Sequence, residues 1–132
     1  MYSITFITGN QKKADYLAKY LGLEVLHEKV DLDELQSLDL REIVEHKVRQ
    51  AYEKVGKPVI VEDASLEFSA LGRLPGTFIR FFIDEMPLEN ICSLIDGKDR
   101  SAIARCGYGY YDGVRFEYFE GRLDGIVADH PA

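Results

Sequence analysis

The sequence predicts a mixed α/β domain in which a central mixed sheet is flanked by helices. Three observations carry that expectation. Short β-branched runs precede helical stripes, one long amphipathic helix falls near residues 40–55, and the last third reads as two strands joined at Asp112-Gly113. Strands that alternate with helices and then pair directly require a mixed sheet. With 132 residues and 46% hydrophobic content, a single domain spanning 1–132 can bury its core without a metal or disulfide staple.

The opening run Tyr2-Ser3-Ile4-Thr5-Phe6-Ile7 is β-branched and aromatic and stops at Gly9-Asn10, so it reads as a strand entering a tight turn. In the helix that follows, Tyr16, Leu17, Tyr20 and Leu21 recur at helical spacing, with Asn10 as cap and Gly22 as terminator. Glu24 to His27 reads as a second strand leading into the acidic stretch Asp31-Leu32-Asp33-Glu34. The clearest element comes next: Leu40, Ile43, Val44, Val48, Ala51, Tyr52 and Val55 mark one helical stripe, capped at Asp39 and ended by Gly56 and Pro58. The run Pro58-Val59-Ile60-Val61 predicts a strand buried on both faces, with Glu62 and Asp63 at its end. After a loop with Gly72, Pro75 and Gly76, the pattern of Phe78 to Ile83 does not decide its conformation. A helix from about Pro87 is marked by Leu88, Ile91, Cys92 and Ile95 and stops at Gly97. Ser101 to Tyr111 and Val114 to Phe119 then form a hairpin, for which Asp112-Gly113 predicts a type I′ turn.

Composition excludes some classes of function. The net charge of −7 argues against a general nucleic-acid surface, because such surfaces cluster Lys and Arg against phosphates. Cys92 and Cys106 lack metal-ligand spacing, and the apolar start of Ile4, Phe6 and Ile7 is too short for a signal peptide or a membrane span. The expected setting is the reducing cytoplasm, with no membrane partner. His27, His46 and His130 form no metal-ligand constellation, and no Ser/His/Asp or Cys/His set stands out.

The residues with chemical interest are few. Lys47 falls inside the apolar stripe of the best helix, where two readings stay open on pattern alone. Either its methylenes lie on the core edge and its ammonium runs to water, or the ammonium reaches a site on the core side where an anion stabilises it. Glu62 and Asp63 follow a buried strand, where α/β folds place ligands; of the two, Asp63 is the candidate. Read by themselves, they are also consistent with solvated loop carboxylates. Glu34 lies in an acidic loop and by itself reads as surface charge, as do Asp31 and Asp33; together, one or two of these carboxylates, Glu62 and Asp63 included, could hold Mg²⁺, which prefers carboxylate and phosphate oxygens. The turn Thr8-Gly9-Asn10 leads into a helix with Lys13 in its first turn, where free N–H groups and the helix dipole favour an anion. The Walker spacing is absent, and an ordinary helix cap with two surface lysines is the more common explanation of such a turn. Arg80 stands between Ile79 and Phe81-Phe82, as a rim residue or a further anion contact.

Taken in order, the blocks Phe6-Ile7-Thr8-Gly9-Asn10 with Lys13, Asp31 to Gln36, Glu42 to Lys47, and Val61 to Gly72 continuing through Leu74-Pro75-Gly76 to Arg80 form a more specific pattern than any one alone. With Cys106 and Phe119-Glu120-Gly121-Arg122, that pattern resembles the inosine/xanthosine triphosphate pyrophosphatase family over nearly the whole chain. The resemblance implies an ITPase-like fold and a hydrolase that converts ITP, dITP and XTP to monophosphate and pyrophosphate with Mg²⁺, as a homodimer. It implies phosphate contacts at Thr8, Asn10, Lys13, Lys47 and Arg80, metal-binding acids at Glu34 and Asp63, and Asp63 as the group that orients or deprotonates the attacking water.

The chain departs from the family pattern at several points. Arg80 stands where the family often has lysine, Ala64 replaces the usual hydroxyl residue after the acidic pair, and Arg73 replaces a common glycine. The sequence ends at Asp129-His130-Pro131-Ala132, before the family segments that help to grip the base. A shortened member that binds nucleotide without turnover is therefore the alternative expectation, and a chain that keeps only the fold is a third.

Overall fold

The computed structural model describes residues 3–8, 11–21, 24–28 and 30–131. The β-branched start of the chain forms strand β1 (Ser3–Ile7), with Thr5, Phe6 and Ile7 all buried. Helix α1 (Gln11–Leu21) leads to β2 (Glu24–Glu28), and α2 (Leu40–Val55) leads to β3 (Val59–Phe68). Both crossovers return the chain parallel to β1, which pairs Ser3 with Glu24 on one side and Thr5 with Val59 on the other. A two-residue strand, β4 (Pro75–Gly76), pairs antiparallel with the far part of β3. Short helices α3 (Ile79–Glu85) and α4 (Leu88–Ser93) precede β5 (Ser101–Tyr111) and β6 (Phe116–Ile126). The strand order is β2-β1-β3-β5-β6, with β4 beside β3, so the sheet is mixed as the sequence predicts.

The chain groups into two compact units. The first comprises Met1–Gln36, Arg41–Asp63 and Gly107–Phe119; the second comprises Ser37–Leu40, Ala64–Cys106 and Glu120–Ala132. In the first, the stripe of α2 supplies much of the core. Val44, Val48 and Ala51 are fully buried, as are Val59 and Val61 of β3, and each such valine contributes about 1.5–3 kcal/mol of transfer free energy. Gly109 of β5 lets backbone and helix approach: a Cβ there would lie 2.5 Å from Val44 Cγ1. In the second unit, Phe68, Ile91, Ile95 and Ala102 form the buried cluster, with Leu66, Phe82 and Met86 packed against it. Arg105 is held there between Glu67 at 2.8 Å and Glu120 at 3.2 Å. Arg100 donates to the carbonyls of Cys92, Val127 and Ala128, tying the end of α4 to the residues after β6.

Several expectations are corrected by the structure. Tyr16 and Tyr20 are largely exposed and stack on each other with centroids 6.1 Å apart, while Ala14 is buried. Tyr16 lies about 200° round the helix from Ala14, so the small residue faces inward and the rings outward. The strand seeded by Val59-Ile60-Val61 does not stop before Glu62: β3 runs on to Phe68, with β5 beside it in the sheet and Leu66 and Glu67 paired to β4. Glu62 and Asp63 are therefore strand residues, not loop residues. Most of the undecided Phe78–Ile83 segment is helical, as α3 begins at Ile79. Asn10 and Gly22, expected to cap and end α1, lie outside the described residues.

The hairpin forms, but not with a type I′ turn. That turn needs positive φ at both central residues, whereas among the described residues no non-glycine has one. Gly113 alone in this loop is left-handed, at φ 97°. The loop is closed instead by Asp112, whose Oδ1 accepts the Val114 N–H at 2.9 Å and the Arg115 N–H at 2.7 Å. This Asx-type chemistry competes with the backbone turn. The two N–H donors, Arg115 first, hold the Asp112 carboxyl below its ordinary range.

Two outcomes follow from this packing. Gly109→Ala is expected to lower stability by about 1–3 kcal/mol through overpacking against Val44, read by urea denaturation; an unchanged midpoint would show that helix and strand can separate at no cost. Because the folded pKa of Asp112 is depressed, its contribution is present above the unfolded carboxyl value and is lost as pH falls through the lower folded value. Asp112→Asn keeps an acceptor that cannot titrate, so its urea midpoint should decline less steeply than wild type below about pH 4. Identical acid limbs would rule out this role.

Candidate functional site

Topology marks where a ligand belongs. The chain leaves β1 towards β2 and, after α2, resumes on the opposite side at β3, giving the order β2-β1-β3. In parallel sheets a crevice opens beyond the carboxyl ends of strands at such a reversal, and ligands bind there. Thr8, half-buried, follows the end of β1, and Lys13 lies in the first turn of α1. Gly9 and Asn10, the remaining turn residues of the sequence prediction, lie outside the described residues. The register of β1 on β3 matches Thr5 with Val59 and Phe6 with Ile60; carried forward, that offset sets Thr8 level with Glu62.

Lys47 occupies α2 between the fully buried Val44 and Val48. Its ammonium does not run to water. Nζ donates to the main-chain carbonyl of Glu62 at 2.9 Å. From α1, Lys13 Nζ donates to Glu62 Oε1 at 3.2 Å, with the lysine side chain 52% exposed and that of Glu62 16%. Two cations from different helices thus meet at one strand residue, one at its carbonyl and one at its carboxylate. Glu62 is the member of the acidic pair that sequence reasoning passed over. Period-two alternation says only that Glu62 and Asp63 point to opposite faces, and nothing in the pattern ranks them. Asp63 is half-buried beside it.

The acidic stretch is held in place by the same helix. Lys47, Gln50 and Lys54 are spaced three and four apart, which puts them on one face of α2. The Asp33 N–H donates to Gln50 Oε1 at 2.6 Å, Gln50 Nε2 donates to Asp33 Oδ2 at 3.2 Å, and Lys54 Nζ donates to the Asp31 carbonyl. Residues 31–36 have no regular secondary structure, yet these bonds fix them along α2 with Glu34 exposed. Side-chain bonds to residues 17 and 23 positions away leave no periodic trace in a sequence.

Among the described residues, no group of three or more His, Cys, Asp or Glu is arranged to hold a metal ion. Mg²⁺ does not need such a cage: it is commonly held by one or two carboxylates, with ligand phosphates and water completing the shell. Glu34 and Asp63 are carboxylates of the kind that this arrangement uses. Arg80 belongs to the second unit, is exposed, and lies 3.8 Å from Asp84 one turn along α3. The second unit also has an apolar cleft of about 330 Å³ lined by residues such as Phe68, Ile79, Ile83, Leu88 and Leu123. Among the described residues no charged side chain lines it, so they offer nothing there to hold phosphate.

The model of the Ham1 family matches residues 4–132. An inosine triphosphate pyrophosphatase of Emericella nidulans is 36% identical over 132 residues, covering 96% of this chain and 72% of the relative. One from Aspergillus oryzae is 38% identical, covering 94% and 67%, and an inosine triphosphate pyrophosphatase 2 of Trypanosoma cruzi is 37% identical, covering 98% and 68%. Among solved structures, a Ham1 protein from Staphylococcus aureus superposes with TM-score 0.84 at 23% identity over 98% of this chain and 73% of that one. A HAM1 protein from Coxiella burnetii gives 0.85 at 21% identity over 100% and 76%.

The hold of α2 on the acidic stretch is open to test. Gln50→Ala removes both bonds to Asp33 and is expected to cost about 0.5–1.5 kcal/mol of stability, while limited proteolysis within residues 30–39 speeds up several-fold. Unchanged cleavage there would mean that the segment is ordered by something else.

Proposed function

Because the chain belongs to the Ham1 family, we propose that it hydrolyses the purine triphosphates ITP, dITP and XTP to nucleoside monophosphate and pyrophosphate. The observation that supports this best is the meeting of Lys13 and Lys47 at Glu62 of β3, level with the residue that follows the carboxyl end of β1 where the sheet order reverses. In this reading the two ammonium groups, with Thr8 and Asn10, bind the phosphate chain; a role for Arg80 rests on the family resemblance alone. Water oxygen forms a bond to the α-phosphorus, the α–β bridging P–O bond breaks, and pyrophosphate leaves with the electron pair. Asp63 orients the water and takes its proton, which puts the base on the same strand as the residue that gathers the lysines. Glu34 and Asp63 would hold Mg²⁺, which would supply charge neutralisation on the phosphate oxygens. Fixed ammonium donors act in the same sense, and they are in position before the substrate arrives.

The reading takes residues 1–132 as one nucleotide pyrophosphatase domain that works as a homodimer in the cytoplasm, on the family resemblance alone. No helix among the described residues is long and apolar enough to cross a membrane.

The test is pyrophosphate release from ITP, XTP and the standard triphosphates, with product masses identified. Asp63→Asn should lower kcat by about 10²–10⁴-fold. Absence of turnover with every triphosphate, or full activity in the variant, would overturn the proposal; tight nucleotide binding without product would favour the alternative of a member that binds and does not hydrolyse.

A further inference from the structure

The chemistry above asks for two cations near the phosphate chain, but it does not ask for a carboxylate to occupy one of them. Glu62 does so. Its mostly buried carboxylate holds Lys13 Nζ at 3.2 Å, and its own carbonyl holds Lys47 Nζ at 2.9 Å. These two bonds differ in kind. The carbonyl is neutral, and an ammonium has three donors, so Lys47 can keep this bond and still face a phosphate. The carboxylate is an anion that competes for the cation a phosphate needs.

We infer that Glu62 is a positioning residue that stands in for the substrate oxyanion: it holds Lys13 ready in the free protein and releases it to a polyphosphate on binding. The inference rests on the pyrophosphatase reading of the site. The exchange moves no covalent bond and no proton; a carboxylate–ammonium contact is replaced by a phosphate–ammonium contact. Two effects follow. Substrate binds more weakly than it would to an uncommitted lysine, because the pair must be broken and the carboxylate then repels the phosphate. Product leaves more readily, because Glu62 takes Lys13 back as pyrophosphate departs.

Lys13 is half exposed, so solvent screens the pair and its worth lies at the modest end for ion pairs. Removing the charge of Glu62 should therefore tighten binding by about three- to tenfold at low salt, with the gain shrinking at about 1 M salt.

The experiment is calorimetric titration of inorganic pyrophosphate, without metal, into wild type, Glu62→Gln, Glu62→Asp, Lys13→Met and the Lys13→Met/Glu62→Gln double variant. Glu62→Gln is expected to bind about three- to tenfold tighter, Glu62→Asp to stay near wild type, and the double variant to gain less over Lys13→Met than Glu62→Gln gains over wild type, since without Lys13 only the repulsion is left to remove. In turnover assays the same charge removal should lower KM and strengthen pyrophosphate inhibition without raising kcat. Equal or weaker binding by Glu62→Gln overturns the inference, as does a gain that persists undiminished without Lys13. If wild type turns over a triphosphate and Glu62→Gln shows no gain, the inference alone fails; if no form binds pyrophosphate and none turns over, it falls with the reading of the site. Should Glu62→Gln unfold, Lys13→Met still decides: a lysine that brings its own counter-anion should cost only about fivefold or less on removal, whereas a loss of about a hundredfold, as for an unshared charged contact, would overturn the inference.

Discussion

An ammonium set between two fully buried valines must reach an oxygen or carry the cost of leaving water, and at Lys47 the oxygen is the carbonyl of Glu62. That single bond joins the long helix to β3 on the core side. Much of the first unit is arranged around it. The stripe of α2 decides which way Lys47 points, and the same helical face then presents Gln50 and Lys54 to the acidic stretch. Lys13 arrives from α1 on the carboxylate of the same glutamate, so both helices that follow the parallel strands are anchored at one residue.

The parts of this fold that can be read in the sequence are those written in periodic burial. The stripe from Leu40 to Ala51 repeats with helical spacing and the structure buries it as read; in the runs opening β1 and β3, Phe6, Ile7, Val59 and Val61 are buried, whereas Ile60, expected inside a strand buried on both faces, is only partly so. Where burial falls on a small residue, the pattern misleads: Ala14 carries the inner face of α1, while the more conspicuous Tyr16 and Tyr20 face out. The length of β3 was hidden for a different reason. Its buried positions run Val59, Val61, Ser65 and Phe68, which skips Asp63 and leaves the period of two after Ser65, and part of its extension pairs with a strand of only two residues. The hairpin was legible in position but not in turn type, since Asp112 settles the loop with its side chain rather than its φ.

The candidate site shows the same division. Lys47 could be singled out because a cation on an apolar stripe demands an explanation, whereas Glu62 could not, being one of two adjacent carboxylates. The ties between Asp33 and Gln50, and between Asp31 and Lys54, connect an irregular segment to a helix and have no local signature. For a chain of net charge −7, the way to attract a polyanion is to concentrate a few cations at one crevice, not to spread them over a surface.

One helix face carrying Lys47, Gln50 and Lys54 makes α2 a lever as well as a wall. Side-chain tips lie about 5–6 Å from a helix axis, so a roll of about 10° shifts each of them by about 1 Å. Lys47 and the acidic stretch would shift together, and an error of that size is enough to cost about a hundredfold in a well-oriented reaction. The azimuth of the lever is set by Val44, Val48 and Ala51, none of which can touch a ligand. Loosening that valine packing is thus a route by which the reaction can be detuned while the sheet stays folded.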